Sequence, residues 1–130
     1  MDFLRDGKTT VAQTTKQRGD AAEDAALAHL EAAGLRLVTR NYRAPGRGGG
    51  EIDLVLHDPR DDTLVFVEVR QRTAGTHGGA GGSITGAKQR RIVFAARHYL
   101  MGLRTLPPCR FDVVLVEDGI EWLQGAFDAG

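Results

Sequence analysis

The chain has 130 residues, 42% of them apolar and 26% charged, which suits one soluble domain with one core and excludes a collagenous or compositionally disordered chain. Its 17 basic and 17 acidic residues cancel, so overall charge gives no reason to expect a polyanion binder. The single cysteine, Cys109, cannot close an internal disulfide, and no Cys/His spacing reads as a zinc site.

Residues 1–16 are polar and aperiodic, and read as a flexible N-terminal segment ahead of one domain over 17–130. That segment lacks the apolar stretch of a signal peptide. No run in the chain approaches the length of a membrane span, so a cytoplasmic protein with no membrane partner is expected. From Gln17 to Ala33, Ala22, Ala26, Leu27, Leu30 and Ala33 recur at helical spacing, and Gly34 supplies a stop. Leu35–Arg40 alternates apolar and polar residues as a half-exposed strand does, and RAPGRGGG is a loop of turn formers.

Glu51–His57 and Thr63–Gln71 are two strands joined by the turn-rich DPRDD, which predicts an antiparallel hairpin. After the glycine-rich loop 75–82, a helix is expected over 85–103, with Ile92, Ala95, Ala96, Tyr99 and Leu103 on one side. Lys88, Arg90, Arg91 and Arg97 lie on the other. Arg110–Val116 is a further strand and Ile120–Leu123 a short last one, giving the order α-β-β-β-α-β-β.

The charge distribution is uneven. No acidic residue falls between Val69 and Phe111, while Arg70, Arg72, Lys88, Arg90, Arg91, Arg97, Arg104 and Arg110 all do. A second acid-free window, 32–50, holds Arg36, Arg40, Arg43 and Arg47. Such segregation can build a basic, phosphate-binding surface on a neutral protein, or the arginines can simply solvate several faces.

The hairpin carries a sharper signal. Glu51, Asp53 and Val55 share one strand face, as do Leu64, Phe66, Glu68 and Arg70. A register setting Asp53 across from Glu68 brings two carboxylates within about 5.5 Å at their β-carbons. Their repulsion is relieved by a cation between them, and Mg²⁺ or Mn²⁺ bound by carboxylates, water and substrate phosphate fits that donor set. Arg70, one step further on the same face, adds fixed positive charge where a phosphate would sit. The plainer alternative is a surface salt bridge between Glu68 and Arg70 with Asp53 solvated. Against it stands the apolarity of the neighbours, which predicts strands buried on both faces, where unpaired charge is costly. Gly81–Gly86 has the glycine spacing of a P-loop, but Ala87 and Lys88 follow where Lys and Ser/Thr are required, so a nucleoside-triphosphate site is excluded.

GxxxEDxAxxxL from Gly19 to Leu30, then RNYR, GEIDLV, VFVEVRQR, Lys88 soon after Ile84-Thr85, RFDVVLV and the closing Ala126-Phe127 resemble the YraN-like family of small bacterial proteins over about 18–127. That family is in turn similar to the PD-(D/E)xK nucleases and, among them, to archaeal Holliday-junction resolvases. The resemblance implies an α/β, restriction-endonuclease-like core in the order α-β-β-β-α-β, a mixed sheet flanked by helices, with a possible short extra C-terminal strand. It implies Asp53 and Glu68 as metal ligands and catalytic residues, with Glu23 as a third acid holding metal or its water. Arg70 stands where lysine is usual, and Lys88 is the residue able to substitute for it.

Gln71 and Arg72, with Arg40, Arg43, Arg47, Arg90 and Arg91, become candidates for holding a nucleic-acid backbone. The implied activity is metal-dependent hydrolysis of DNA, duplex or branched, and the resolvase likeness implies a homodimer. Arginine cannot serve as a base, so a binding module without turnover is the alternative, and a protein-interaction domain a second one.

Overall fold

The computed structural model describes residues 14–46, 48–71 and 84–129. Arg47, Arg72, the glycine-rich loop 75–82 and the first 13 residues lie outside them. Helix α1 spans Thr15–Ala32, strands β1, β2 and β3 span Arg36–Arg43, Glu51–Asp58 and Thr63–Gln71, helix α2 spans Gly86–Leu100, and strands β4 and β5 span Cys109–Val116 and Ile120–Phe127. These elements form a mixed α/β domain, its five strands in the spatial order β1-β2-β3-β4-β5. Pairing is antiparallel except between β3 and β4, whose parallel register is made possible by the crossover through α2.

Helix α1 begins two residues before the expected Gln17 because Thr14 closes a capping box. The Thr14 hydroxyl accepts from the Gln17 N–H at 3.1 Å, and the Gln17 side chain accepts from the Thr14 N–H at 2.9 Å. Past its end, Gly34 takes φ 104°, a left-handed conformation that releases the chain into β1. Helix α2 stops at Leu100, short of the expected Leu103, and β5 runs to Phe127, well beyond the expected Leu123.

The central strands are buried on both faces, which explains their near-continuous apolar runs. On one face α1 packs Ala26 and Leu30 against Leu54, Leu56, Val65, Val67 and Val114. On the other, α2 packs Ile92, Val93, Ala95 and Ala96 against Ile52, Val55, Leu64, Phe66 and Phe111. Gly50 permits that second packing. A Cβ there would lie 2.3 Å from the Arg91 carbonyl oxygen, so only glycine lets the start of β2 meet the helix backbone. Under the α1 face lies a polar network that the sequence did not announce. The fully buried Asp112 accepts from Arg110 at 3.1 Å, the Trp122 indole at 2.8 Å and the Gly125 N–H at 3.0 Å. Buried Asp58 meets Arg60 at 2.8 Å and Arg110 at 3.7 Å. Arg110, read from sequence as part of a basic window, is thus spent inside the fold.

Candidate functional site

The hairpin ladder between β2 and β3 runs from the turn to Leu54 and Val67 and stops there. Beyond that pair β2 stays with β1, through Ile52 and Glu51, and β3 stays with β4, through Val69 to Gln71. The sheet therefore forks, and one further step in the same register sets Asp53 across from Glu68 at the crotch of the fork. Glu68 lies on the α2 face, two residues on from Phe66. Asp53 sits where β2 departs from alternation, between Ile52 of the α2 cluster and Leu54 of the α1 cluster. The Val69 N–H, which has no ladder partner on β2, donates to Asp53 Oδ2 at 2.8 Å.

The two carboxyl groups share a hydrogen bond in which Asp53 donates to Glu68. Burial, then the charge of Glu68, raises the Asp53 carboxyl to about 7, while the Val69 N–H pulls it back. Glu68, only 8% exposed, is also raised by burial, and Lys88, the hydrogen bond from Asp53 and Arg70 oppose that rise. Lys88 Nζ stands 3.5 Å from Glu68 Oε2. Its position is fixed by the helix start, where the Thr85 hydroxyl accepts from the Lys88 N–H at 3.1 Å.

Glu23 arrives from α1. It is half-buried, its carboxyl is raised by burial and by the charge of Asp53, and it accepts from Arg40 at 3.3 Å and from the Asn41 side chain. Arg40 also donates to Asp24 at 2.9 Å. The RNYR segment, Arg40–Arg43, thus serves the site by positioning. Asn41 takes φ 53°, a left-handed conformation that asparagine tolerates, and breaks the strand alternation. Arg40 consequently faces α1, while Tyr42 joins the core cluster on the α2 face. Among the described residues no group of three or more His, Cys, Asp and Glu is placed to hold one metal ion. The arrangement is a close pair, Asp53 and Glu68, with Glu23 coupled to Asp53 by charge and held by Arg40 and Asn41.

Of the expected backbone-binding residues, Arg40 is engaged by Glu23 and Asp24, which its sequence position could not reveal. Arg43 is exposed and pairs with Glu51 at 3.2 Å. Arg43, Lys88 and Arg91 line a groove of about 420 Å³ whose other walls include Pro45, Gly46, Gly49 and Gly50. Arg90 and Gln71 are exposed, and Arg70 is half-exposed beside Glu68. Two carboxylates side by side offer only oxygen donors, which fit a hard divalent cation such as Mg²⁺ or Mn²⁺. No helix among the described residues is long and apolar enough to cross a membrane.

Comparison with known proteins agrees with the family resemblance. A model of the "Uncharacterised protein family UPF0102" matches residues 22–116. A UPF0102 protein of Paracidovorax citrulli is 70% identical over 118 residues, covering 90% of this chain and 87% of that protein. One from Albidiferax ferrireducens is 68% identical over 117 residues, covering 89% of this chain and 91% of its own. One from Cupriavidus taiwanensis is 60% identical over 128 residues, with 98% and 95% covered. The chain belongs to the UPF0102 family, the YraN-like proteins.

Proposed function

We propose that the chain is a metal-dependent endonuclease of the restriction-endonuclease-like, PD-(D/E)xK kind, acting on DNA phosphodiesters in duplex or branched form. The observation that carries this reading is the carboxylate pair at the fork, Glu68 buried and Asp53 half-buried, with Lys88 3.5 Å from Glu68. Asp53 and Glu68 would hold Mg²⁺ or Mn²⁺, and the chemistry the cation supplies when bound is activation of water and neutralisation of phosphoryl charge. Val69 fixes the Asp53 oxygen through its N–H. Lys88 and Arg70 donate to phosphoryl oxygens as negative charge develops. Arg70 stays protonated and acts only as a clamp. Arg43, Arg90 and Arg91, with Lys88 at the N-terminus of α2, hold flanking phosphates.

A second reading has an observation of its own. Glu68 is already paired with Lys88 and lies beside Arg70, so a self-neutralised site can bind nucleic acid without cutting it. Incubating the full chain with a four-way junction and a linear duplex in Mg²⁺ or Mn²⁺ decides between them. Metal-dependent cleavage that is lost in Asp53→Asn and Glu68→Gln supports the nuclease. Salt-sensitive binding without cleavage supports the binding module, and neither binding nor cleavage overturns both.

A further inference from the structure

The second cleft on the α2 face is aromatic. It encloses about 440 Å³ between Tyr42, His98, Tyr99, Met101, Gly102 and Leu103. Its floor is rigid: the Tyr42 hydroxyl and His98 Nδ1 share a hydrogen bond of 2.5 Å, and Tyr42 meets Tyr99 edge to face at 5.3 Å. Behind them, Phe66 packs against Tyr99 and stacks on Phe111, which stacks on Phe127, so the floor is backed by packed rings. Its rim is apolar and open, with Met101 77% exposed and Leu103 38%. This spot joins residues 56 apart in sequence, which is why no local pattern marks it.

The aromatic cleft and the basic groove have no lining residue in common, but the same two elements reach both. Tyr42 and Arg43 are adjacent on β1, one lining each cleft, and α2 supplies Lys88 and Arg91 to the basic groove and His98 and Tyr99 to the aromatic one. At 1.5 Å per residue, the seven residues from Arg91 to His98 span about 10 Å along α2. A phosphate held by Arg43 and Arg91 thus leaves a base of the same strand within reach of the rings. Paired bases are stacked inside a duplex and present no face to such a floor; an unpaired one does.

We propose that this cleft is a stacking subsite for one unpaired nucleobase of the DNA strand held in the basic groove. The proposal rests on the nucleic-acid reading above and narrows its substrate class to duplexes with a bulge, branch or frayed end. The rigid rings bind at small entropic cost, as pre-organised aromatic contact surfaces do. Stacking of a base on aromatic side chains is worth about 1–3 kcal/mol, or between about fivefold and 150-fold in affinity.

The test measures binding of the full chain, with Ca²⁺ replacing Mg²⁺, to three oligonucleotides: a paired duplex, the same duplex with one bulged base, and the bulge made abasic. The bulged base is 2-aminopurine. The expected result is about tenfold tighter binding of the base-bearing bulge than of the other two, with its fluorescence quenched. Tyr42→Leu should abolish that preference and Tyr42→Phe should keep it, while all three proteins bind the paired duplex alike. If Tyr42→Leu does not fold, fluorescence in the unaltered chain decides alone. Equal affinity for all three duplexes with no quenching overturns the stacking site and leaves the nucleic-acid reading standing. A preference surviving in well-folded Tyr42→Leu also overturns it. Absence of binding to any duplex overturns both.

Discussion

The carboxylate pair should make the protein less stable as pH rises, and replacing Asp53 with asparagine should remove that penalty. In the folded chain Asp53 keeps its proton up to about pH 7, while its ordinary value is 3.8. The folded state therefore binds more protons than the unfolded one between these values. Stability from this group is greatest below about pH 4, declines across the window from 3.8 to about 7, and levels off above it. At about 1.4 kcal/mol per pH unit the full decline is about 4 kcal/mol. The substituted asparagine keeps an oxygen for the Val69 N–H and an amide N–H for Glu68, but carries no charge to bury. It forfeits the charge-assisted part of the Val69 bond, about 1 kcal/mol. Asp53→Asn should thus be more stable than the unaltered chain by about 3 kcal/mol at about pH 8.5 in EDTA, and within about 1 kcal/mol of it at about pH 4.5. Urea unfolding followed by fluorescence of the single tryptophan, Trp122, reads both numbers. A variant less stable than the parent at the higher pH, or a gain equal at both pH values, would refute the argument.

Other consequences follow from particular contacts. Asp112→Ala leaves Arg110, the Trp122 indole and the Gly125 N–H without their shared acceptor, and should cost about 3–5 kcal/mol in urea unfolding. Gly50→Ala drives a methyl group into the Arg91 carbonyl, and should cost about 1–3 kcal/mol while loosening the contact between α2 and β2. Lys88→Met takes from Glu68 a cation 3.5 Å away and should raise its carboxyl further, seen as a later titration of its resonance by NMR. The Asp58 carboxyl, which the Arg60 guanidinium holds down at about 2, stabilises the fold above about pH 4; that contribution fades as the pH falls from 3.8 toward 2. Acid unfolding of Asp58→Asn should show a shallower pH dependence in that window.

The strands of the hairpin were legible because burial on both faces writes itself as continuous apolar runs. Alternation then holds on β3, where Leu64 and Phe66 share the α2 cluster, but not on β2, where Ile52 and Leu54 fall in opposite clusters. The fork could not be read, because it depends on which partner each strand keeps after Leu54 and Val67. The start of α1 was readable: Thr14 and Gln17 have the spacing of a capping box, a signal that the apolar periodicity obscured. The length of β5 was hidden by Gln124, Gly125 and Ala126, poor strand formers that bulge out of the ladder between the paired Leu123 and Phe127, with the Gly125 N–H held by the Asp112 carboxylate. Counting arginines in acid-free windows overstated the basic surface. Arg40 meets Asp24, 16 residues away, and Arg110 meets Asp58, 52 residues away, besides its near neighbour Asp112; the two distant pairs exist only in the folded chain. The left-handed Asn41, which turns Arg40 toward Glu23 and Tyr42 toward His98, carries no local mark beyond being an asparagine.

The most direct test of the central claim is a calorimetric titration of Mn²⁺ into the unaltered chain and into Asp53→Asn, at about pH 7.5 and again at about pH 6. The account predicts binding to the unaltered chain at the higher pH and up to about tenfold weaker binding at the lower, where the cation must displace the proton held between Asp53 and Glu68. It predicts no binding to Asp53→Asn at either pH. Equal binding by both proteins, or none by the unaltered chain, would contradict it.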